Sequence, residues 1–283
     1  MSTPVWTTLV DCEELHTALG RPEVVVVDCR FALPDPDAGE AAWQRSHVPG
    51  ARYAHLDRDL SGPHAPGKGR HPWPSASAFA DTLAGWGVDA DHQVVAYDDG
   101  DGAFAARLWC LLRAAGFARV AVLDGGWARW QALGLPVTGD QPVPAPVAVR
   151  SLSWRMPPLE AASVQTHLAS GGLLVDARAG ERFRGEVEPI DRVAGHVPGA
   201  VNRPYAQNLR DGRFKPAAEL CREFESLLGA RSAGEMVAMC GSGVTACHHL
   251  LAMAHAGLEG ARLYGGSWSG WIEDPARPVA TGV

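Results

Sequence analysis

The sequence predicts an α/β protein with two tandem domains, each a parallel sheet flanked by helices. Short β-branched and apolar runs that end in charge, such as 23–30, are typical of buried parallel strands. Segments with helical period follow these runs, as in α/β units. The motif His-Val-Pro-Gly-Ala also occurs twice, at 47–51 and 196–200. A chain of 283 residues can bury a core in each of two domains.

The first half alternates between predicted helices and strands. Helices are predicted at 11–19, 75–86 and 104–115, and strands at 23–30, 93–97 and 120–123. Residues 61–74 are rich in Gly, Pro and His, and they are predicted to form a loop.

The second half repeats this order. Its strand at 173–178 corresponds to 23–30, and the pair Met239-Cys240 corresponds to Tyr97-Asp98. Such matches, spaced about 140 to 150 residues apart, indicate a tandem duplication. We predict an N-terminal domain over 1–140, a linker over 141–158 and a C-terminal domain over 159–283. The tryptophans after the two Gly-Gly turns are predicted to pack in the cores: Trp127, Trp130, Trp268 and Trp271.

Charge and composition exclude several classes of protein. A formal net charge of -7 argues against a general nucleic-acid-binding protein, which is expected to be basic. No run approaches the roughly 18 apolar residues of a membrane span, and the N-terminal residues lack a secretion signal. We therefore predict a cytoplasmic protein without membrane partners. The six cysteines lack the spacing of disulfide frameworks or zinc sites, and no metal or other cofactor is predicted.

The loop around Cys240 is the stretch that best suggests chemistry. Cys240 follows an apolar run predicted as a buried strand and precedes a helix predicted over 246–256. Gly241 and Gly243 let successive N–H groups point inward, and the helix adds its unpaired N-terminal donors. Such a cradle stabilises an anion, here a thiolate or a persulfide formed on it. The alternative is an unreactive cysteine that ends a core strand.

The first copy differs at the corresponding position. Asp98 stands where the second copy has Cys240, and Asp99 and Asp101 follow it. We expect so acidic a loop to be unable to cradle an anion. The N-terminal domain is therefore predicted to be catalytically inactive, and the C-terminal domain to be catalytic.

Together these features resemble the tandem-domain sulfurtransferases of the rhodanese family, over essentially the whole chain. The paired motifs, the Asp-Gly-Gly-Trp turn at 124–127 and the Cys-Gly-Ser-Gly-Val-Thr loop at 240–245 carry the resemblance. It implies two rhodanese-like domains and a double displacement, in which Cys240 takes the outer sulfur of a donor as a persulfide. An acceptor such as a small thiol, thioredoxin or cyanide then removes that sulfur. The loop residues expected to contact the substrate are Gly241, Gly243, Val244 and Thr245.

The residues after the cysteine separate two groups within this family. Members that use thiosulfate carry Arg and Lys there, whereas members that use 3-mercaptopyruvate carry Gly and then Ser or Ala. Gly241 and Ser242 therefore favour 3-mercaptopyruvate, a monoanion that needs less positive charge at its sulfur than dianionic thiosulfate does. Thiosulfate remains the alternative donor.

Ser242 resembles the serine proposed in this family to move protons at the donor sulfur together with a histidine and an aspartate. His47 matches that histidine by motif, and Asp35 or Asp37 is the candidate for the third member. The alternative is that His47 is structural, because both copies carry a histidine at this position of the motif.

Arginines are expected to bind the donor carboxylate, because a guanidinium can form two parallel hydrogen bonds with it. Residues 176–185 resemble the substrate-binding stretch of the family, in which Arg182 matches the first arginine. Arg192 is the nearest candidate for the second. The alternative for both is pairing with the nearby acids Glu181, Glu186, Glu188 and Asp191.

Two other functions differ in class from a sulfurtransferase. A non-catalytic persulfide carrier remains an alternative. A phosphatase is disfavoured, since Thr245 stands where such a loop has an arginine for the phosphate ester. His248 and His249 fall on the helix after the loop, and they are predicted to be structural.

Overall fold

The computed structural model describes residues 5–145, 147 and 151–283. The chain forms two compact units. The first contains the chain up to Gly62 together with Pro74–Arg155 and Asp211–Arg213. The second contains Pro63–Trp73, Met156–Arg210 and Phe214–Val283.

The first unit is built on a five-stranded sheet. Its strands are β1 (Leu9–Val10), β2 (Val24–Asp28), β3 (Arg52–Tyr53), β4 (Gln93–Tyr97) and β5 (Val120–Leu123). Its helices are α1 (Cys12–Ala18), α2 (Ala38–Arg45), α3 (Ala76–Gly85), α4 (Ala103–Ala115) and α5 (Gly126–Ala132). The strands lie in the order β1-β5-β4-β2-β3, and all of their pairings are parallel.

The core of this unit lies between the sheet and its helices. Residues 25–27 of β2 and 94–96 of β4 are almost fully buried, as expected for the middle strands of a covered parallel sheet. Trp130 is completely buried and donates its indole N–H to the carbonyl of Pro136, at 2.9 Å. Gly116 ends α4 in the left-handed conformation, with φ of 94°, which glycine adopts without steric cost.

The second unit is built on a four-stranded sheet and a two-stranded ribbon. Its strands are β6 (Leu173–Asp176), β7 (Val201–Asn202), β8 (Leu209–Arg210), β9 (Arg213–Phe214, of which Arg213 is assigned to the first unit), β10 (Met236–Met239) and β11 (Arg262–Leu263). Its helices are α6 (Ala161–Ala169), α7 (Gly180–Phe183), α8 (Ala217–Leu228), α9 (Ala246–His255) and α10 (Ser267–Trp271). The sheet order is β11-β10-β6-β7, all parallel, while β8 and β9 pair with each other.

The two sheets share one topology. The order β5-β4-β2-β3 in the first unit corresponds strand by strand to β11-β10-β6-β7 in the second. Where β1 pairs with β5, the second unit has a parallel bridge between Leu159 and Tyr264. The predicted α/β class, with a parallel sheet and helices in each of two repeated domains, is confirmed.

Equivalent side chains also make equivalent contacts. In the first unit Asp28 pairs with Arg30 at 2.6 Å, and that guanidinium lies over Trp127 at 4.5 Å from the ring centroid. The second unit places its own aspartate, arginine and tryptophan in the same way, with distances of 2.7 and 4.9 Å, through Asp176, Arg178 and Trp268. The tryptophans after the Gly-Gly turns are buried, as predicted.

Two segments depart from a simple division of the chain at a linker. Pro63–Trp73, here called the strap, lies in the first half of the sequence but belongs to the second unit. Asp211–Arg213 lies in the second half but belongs to the first unit, where Arg213 pairs with Asp124 and Asp11. Contacts with residues distant in the sequence hold each segment in its unit. Each unit therefore includes residues from both halves of the chain.

The predicted linker is only partly described. Residues 146 and 148–150, and residues 1–4 of the predicted N-terminal domain, lie outside the described residues. The end of the linker packs on the first unit, since the Trp154 indole N–H donates to the carbonyl of Pro74 and the Arg155 amide donates to Ala114. Within the described ranges, no helix has both the length and the apolar character needed to cross a bilayer.

Candidate active site

Cys240 lies between the end of β10 and the start of α9, where the sequence predicts it. Its amide donates to the hydroxyl of Ser267 at 3.1 Å, which holds the end of the strand against the first residue of α10. The residue is 2% exposed. The thiol therefore lies at the carboxyl edge of a parallel sheet, a common position for binding sites in α/β proteins.

The loop after Cys240 curls around the sulfur. The Gly243 amide donates to Cys240 Sγ at 3.2 Å. Gly243 has φ of 77°, and a Cβ at this position would lie 2.5 Å from the carbonyl oxygen of Gly265, so the turn requires glycine.

The peptide groups of this loop are also oriented by α10. The carbonyls of Cys240 and Gly241 accept from the amides of Trp268 and Ser269, at 3.0 and 2.8 Å. Because C=O and N–H point in opposite directions in a trans peptide, the amides of Gly241 and Ser242 face away from α10. The N-terminus of α9 follows at once, so the loop has the donors and the helix dipole that favour an anion.

Ser242 has a histidine partner, and that partner is His71. The Nδ1 atom of His71 lies 2.7 Å from Ser242 Oγ, and both side chains are almost fully buried. The sequence analysis placed His71 only within a loop. It lies on the strap, which belongs to the same unit as Cys240 although 169 positions separate His71 from that cysteine in the sequence.

His47, predicted as the partner of Ser242, is held by main-chain groups of the first unit. Its Nδ1 lies 2.6 Å from the carbonyl oxygen of Trp43, and its Nε2 lies 3.2 Å from that of Asp140. In the second copy, His196 places Nδ1 2.8 Å from the carbonyl oxygen of Phe183. The same bond in both copies favours the structural alternative for His47.

The two aspartates considered with His47 are both exposed. Asp35 and Asp37 lie just before α2, and Asp37 is its N-terminal flanking residue without a side-chain capping bond. Both ring nitrogens of His47 bond to main-chain carbonyls, and in the described structure neither carboxylate is bonded to that ring. Within the second unit, the structure brings Ser242 together with His71, whereas His47, Asp35 and Asp37 belong to the first unit.

Arg182, the predicted carboxylate-binding arginine, lies beside the loop and is also paired with acids. Its guanidinium contacts Glu188 at 2.7 Å and Asp191 at 3.3 Å. A Cβ added to Gly241 would lie 3.7 Å from Arg182 Nη2. The guanidinium therefore faces the loop on one side and carboxylates on the other.

A second arginine at the loop, Arg70, was missed by the sequence analysis. A Cβ added to Gly241 would lie 3.0 Å from Arg70 Nη2, and Arg70 Nη1 pairs with Asp191. Within the described structure, the Nε atom of Arg70 is buried without a hydrogen-bond partner. By contrast Arg192, predicted as the second arginine, is exposed and donates to the main-chain carbonyl of Ile272.

The strap is held close against α10. A Cβ on Gly69 would lie 2.4 Å from the carbonyl oxygen of Gly266, and one on Gly270 would lie 2.7 Å from that of Gly67. The Arg70 amide donates to the hydroxyl of Ser269 at 3.1 Å. The sequence Gly-Lys-Gly-Arg-His at 67–71 thus combines glycines needed for close approach with the arginine and histidine that reach the loop. This combination of glycines with Arg70 and His71 is the sequence feature by which the strap could have been recognised as part of the site.

The loop of the first copy corrects one expectation. Asp98 occupies the position of Cys240, and its own carboxylate accepts from four backbone amides, those of Gly100, Gly102, Phe104 and Ala105, at 2.9 to 3.1 Å. The acidic loop was expected to be unable to cradle an anion, and this was wrong. It cradles one of its own side chains, because a carboxylate on the strand end reaches the same inward-pointing donors.

His248 and His249 lie in the core beneath the loop, in agreement with the structural role predicted for them. Both are fully buried, and each Nδ1 lies within 3.0 Å of the Asn208 amide nitrogen. Burial lowers the pKa of His249 to about 3. In the described parts of the chain, no group of three His, Cys, Asp or Glu side chains is placed to hold a metal ion.

Comparison with known proteins agrees with this architecture. The sequence matches the family of the rhodanese-like domain twice, over residues 11–133 and 160–274. The chain belongs to the rhodanese family, and it is a sulfurtransferase with two rhodanese-like domains.

Proteins similar to this chain are named as sulfurtransferases. The chain is 50% identical to a probable 3-mercaptopyruvate sulfurtransferase of Pseudomonas aeruginosa, over 97% of this chain and 98% of that protein. It is 40% identical to a putative thiosulfate sulfurtransferase, SseB, of Mycobacterium tuberculosis, with 92% of each covered. Among solved structures, Escherichia coli SseA, described as a 3-mercaptopyruvate sulfurtransferase, superimposes with a TM-score of 0.79 at 30% identity. That match covers 93% of this chain and all of the other.

Proposed function

We propose that this protein moves sulfur from 3-mercaptopyruvate to a thiophilic acceptor through a persulfide on Cys240. The observation that carries the proposal is the 2.7 Å contact between His71 and Ser242, two residues after the cysteine. A hydroxyl coupled to an imidazole is a general acid–base pair. Such a pair is useful for a thiol donor, which must lose a proton, and is not needed for thiosulfate.

The first displacement begins with attack of the Cys240 thiolate on the donor sulfur. A sulfur–sulfur bond forms and the carbon–sulfur bond of the donor breaks, leaving its electron pair on carbon as the enolate of pyruvate. The proton of the donor thiol passes through Ser242 and His71, and the enolate carbon is protonated to give pyruvate. Backbone donors such as the Gly243 amide stabilise the negative charge on sulfur.

In the second displacement, an acceptor thiolate or cyanide attacks the outer sulfur of the persulfide. The sulfur–sulfur bond breaks, and its electrons return to Cys240 as the thiolate. Small thiols, thioredoxin and cyanide are all acceptors of suitable chemistry. Gly241, Gly243, Val244 and Thr245 form the loop around the transferred sulfur, and their small or apolar side chains leave the backbone donors available to it.

The donor carboxylate is assigned to Arg182 and Arg70. Both guanidiniums lie beside Gly241, and a guanidinium can hold a carboxylate through two parallel hydrogen bonds. The unpartnered Nε of Arg70 supports this assignment, because a bound anion would supply an acceptor. Arg192, whose guanidinium binds the Ile272 carbonyl, is the weaker candidate for this role.

The N-terminal copy is proposed to be inactive. Asp98 replaces the nucleophile, and its carboxylate already takes the donors that a persulfide would use. In this proposal the catalytic region consists of residues 159–283 together with the strap, and the rest of residues 1–140 forms the inactive domain, followed by the linker at 141–158.

Thiosulfate as donor is the second candidate, and the similarity to the M. tuberculosis protein favours it. A non-catalytic persulfide carrier is the third. The loop itself carries no basic side chain after the cysteine, which weakens the case for a dianionic donor.

The test is mass spectrometry after exposure to 3-mercaptopyruvate, followed by turnover with cyanide. We expect a gain of about 32 Da, one sulfur atom, on the peptide that holds Cys240, and its loss when cyanide is added. Cys240→Ser should abolish the gain, whereas Cys221→Ser, at the most exposed cysteine, should retain it. A higher kcat/KM for thiosulfate than for 3-mercaptopyruvate would overturn the choice of donor, and persulfide formation without turnover would identify a carrier.

A further inference from the structure

Asp191 lies between Arg70 and Arg182, the two arginines beside the loop at 240–245, here called the reactive loop. One of its carboxylate oxygens pairs with Arg70 Nη1, and the other lies 3.3 Å from Arg182 Nη2. The side chain is 4% exposed, so water screens these charges poorly. Asp191 therefore contacts both positive groups that face Gly241.

Counting the charges around the loop shows how little of the positive charge is unbalanced. Arg70 and Arg182 are matched by Asp191 and by Glu188, whose side chain is 3% exposed and pairs with Arg182 at 2.7 Å. The next arginine, Arg178, is matched by Asp176. The guanidiniums can still donate to an anion, but the site as a whole offers an incoming donor nearly no net positive charge.

We propose that Asp191 determines donor specificity: its fixed negative charge favours donors with one negative charge over dianions such as thiosulfate. The proposal rests on the function proposed above, and it assigns the specificity to an acid outside the cysteine loop. The two arginines supply hydrogen bonds for one carboxylate, while Asp191 cancels the charge that would otherwise attract a second negative group.

The physical basis is that an electrostatic energy scales with the charge of the ligand. Removing the negative charge of Asp191 removes a repulsion that acts on every anionic donor. The gain in binding free energy is about twice as large for a dianion as for a monoanion. For charges separated by several ångströms in a partly buried site, the difference corresponds to a shift in selectivity of about tenfold.

The experiment measures kcat/KM of Asp191→Asn and of the wild type with thiosulfate and with 3-mercaptopyruvate, at constant ionic strength with cyanide as acceptor. We expect the ratio of the two kcat/KM values to move about tenfold toward thiosulfate, mainly through a lower KM for thiosulfate. The shift should shrink at high salt, because it is electrostatic.

Three further variants show whether the change in donor preference comes from the buried negative charge, from the shape of the side chain at 191 or from the net charge of the protein. Asp191→Glu keeps the charge, so its ratio should stay within about twofold of the wild type. Glu188→Gln removes the other buried charge, so it should shift the ratio in the same direction as Asp191→Asn. Glu186→Gln removes one charge from the same segment, but this acid is exposed and pairs with Arg184, so its ratio should not change.

The outcomes are distinct. An equal change in kcat/KM for both donors in Asp191→Asn and in Glu188→Gln would overturn the proposal, since these acids would then only hold the arginines in place. A shift of the same size in Glu186→Gln would also overturn it, because net charge alone would explain the effect. Absence of turnover by the wild type with either donor would instead refute the proposed function. If Asp191→Asn does not fold, Glu188→Gln decides the matter.

Discussion

The Nδ1 atom of His71 lies 2.7 Å from the hydroxyl oxygen of Ser242, although 171 positions separate the two residues in the sequence. This contact joins the strap to the reactive loop within one compact unit. A segment encoded among the elements of the first copy thus contacts the loop that follows the cysteine of the second.

Replacing His71 with asparagine should lower kcat with 3-mercaptopyruvate by about 100-fold to 1000-fold, because a positioned general acid–base group typically contributes this much. With thiosulfate, which brings no thiol proton, kcat should fall less than tenfold. Steady-state kinetics with both donors checks the prediction. The control is His64→Asn, an exposed histidine on the same strap, which should retain wild-type rates. Equal losses for both donors would show that His71 has no role specific to the thiol donor.

Replacing Gly270 with alanine should displace the strap. The added methyl group would lie 2.7 Å from the carbonyl oxygen of Gly67 and 3.0 Å from the Gly69 amide nitrogen, both main-chain atoms that cannot rotate away. We expect kcat/KM to fall about tenfold to 100-fold, since shifts of about 1 Å in catalytic groups have such effects.

The matched control for Gly270→Ala is Gly85→Ala, at the end of α3, where a Cβ would meet no atom within 4 Å. Alanine there should raise the free energy of unfolding by up to about 1 kcal/mol, through helix propensity, and leave the kinetics unchanged. Wild-type kcat/KM in Gly270→Ala would show that the position of the strap does not limit catalysis.

Replacing Asp98 with alanine should destabilise the protein by about 2 to 4 kcal/mol, because it leaves two buried and two partly buried backbone amides without their acceptor. Denaturant unfolding measures the effect. Asp91→Ala, at an exposed aspartate, should change the free energy of unfolding by less than about 0.5 kcal/mol. Folded Asp98→Ala should form the Cys240 persulfide as the wild type does. Loss of persulfide formation in the folded variant would contradict the proposal that the first copy is catalytically inactive.

The stability of the protein should fall in acid because of His249. Burial holds the pKa of this histidine at about 3 in the folded protein, against an ordinary value of 6.5. Between these values the unfolded chain binds a proton that the folded protein does not, so the free energy of unfolding decreases as the pH is lowered from about 6.5 toward 3. The contribution of His249 to the slope is up to about 1.4 kcal/mol per pH unit.

Chemical denaturation at several pH values, for the wild type and His249→Gln, measures this slope. The variant lacks the titrating ring, so its stability should depend on pH less steeply by about that amount. His64→Gln, at an exposed histidine, should keep the wild-type slope. An unchanged slope in His249→Gln would mean that other groups cause the acid sensitivity.

The sequence by itself determined the class, the duplication and the position of Cys240. Strands such as β4 and β5 were predicted with their observed bounds, because runs that are buried on both faces are continuously apolar. Cys240 could be placed at the end of a strand and before a helix for the same reason. These features depend on residues that are neighbours in the chain, and local patterns record such residues directly.

Only the tertiary structure decided what surrounds Cys240. It brought Arg70 and His71 to the loop from the strap, and it assigned Arg192 to the carbonyl of Ile272 instead. It also filled the cradle of the first copy with the carboxylate of Asp98. Each of these outcomes depends on which side chain reaches a given donor or acceptor in space. Hydrogen bonds and ion pairs act over a few ångströms regardless of separation along the chain, so local sequence patterns do not encode them.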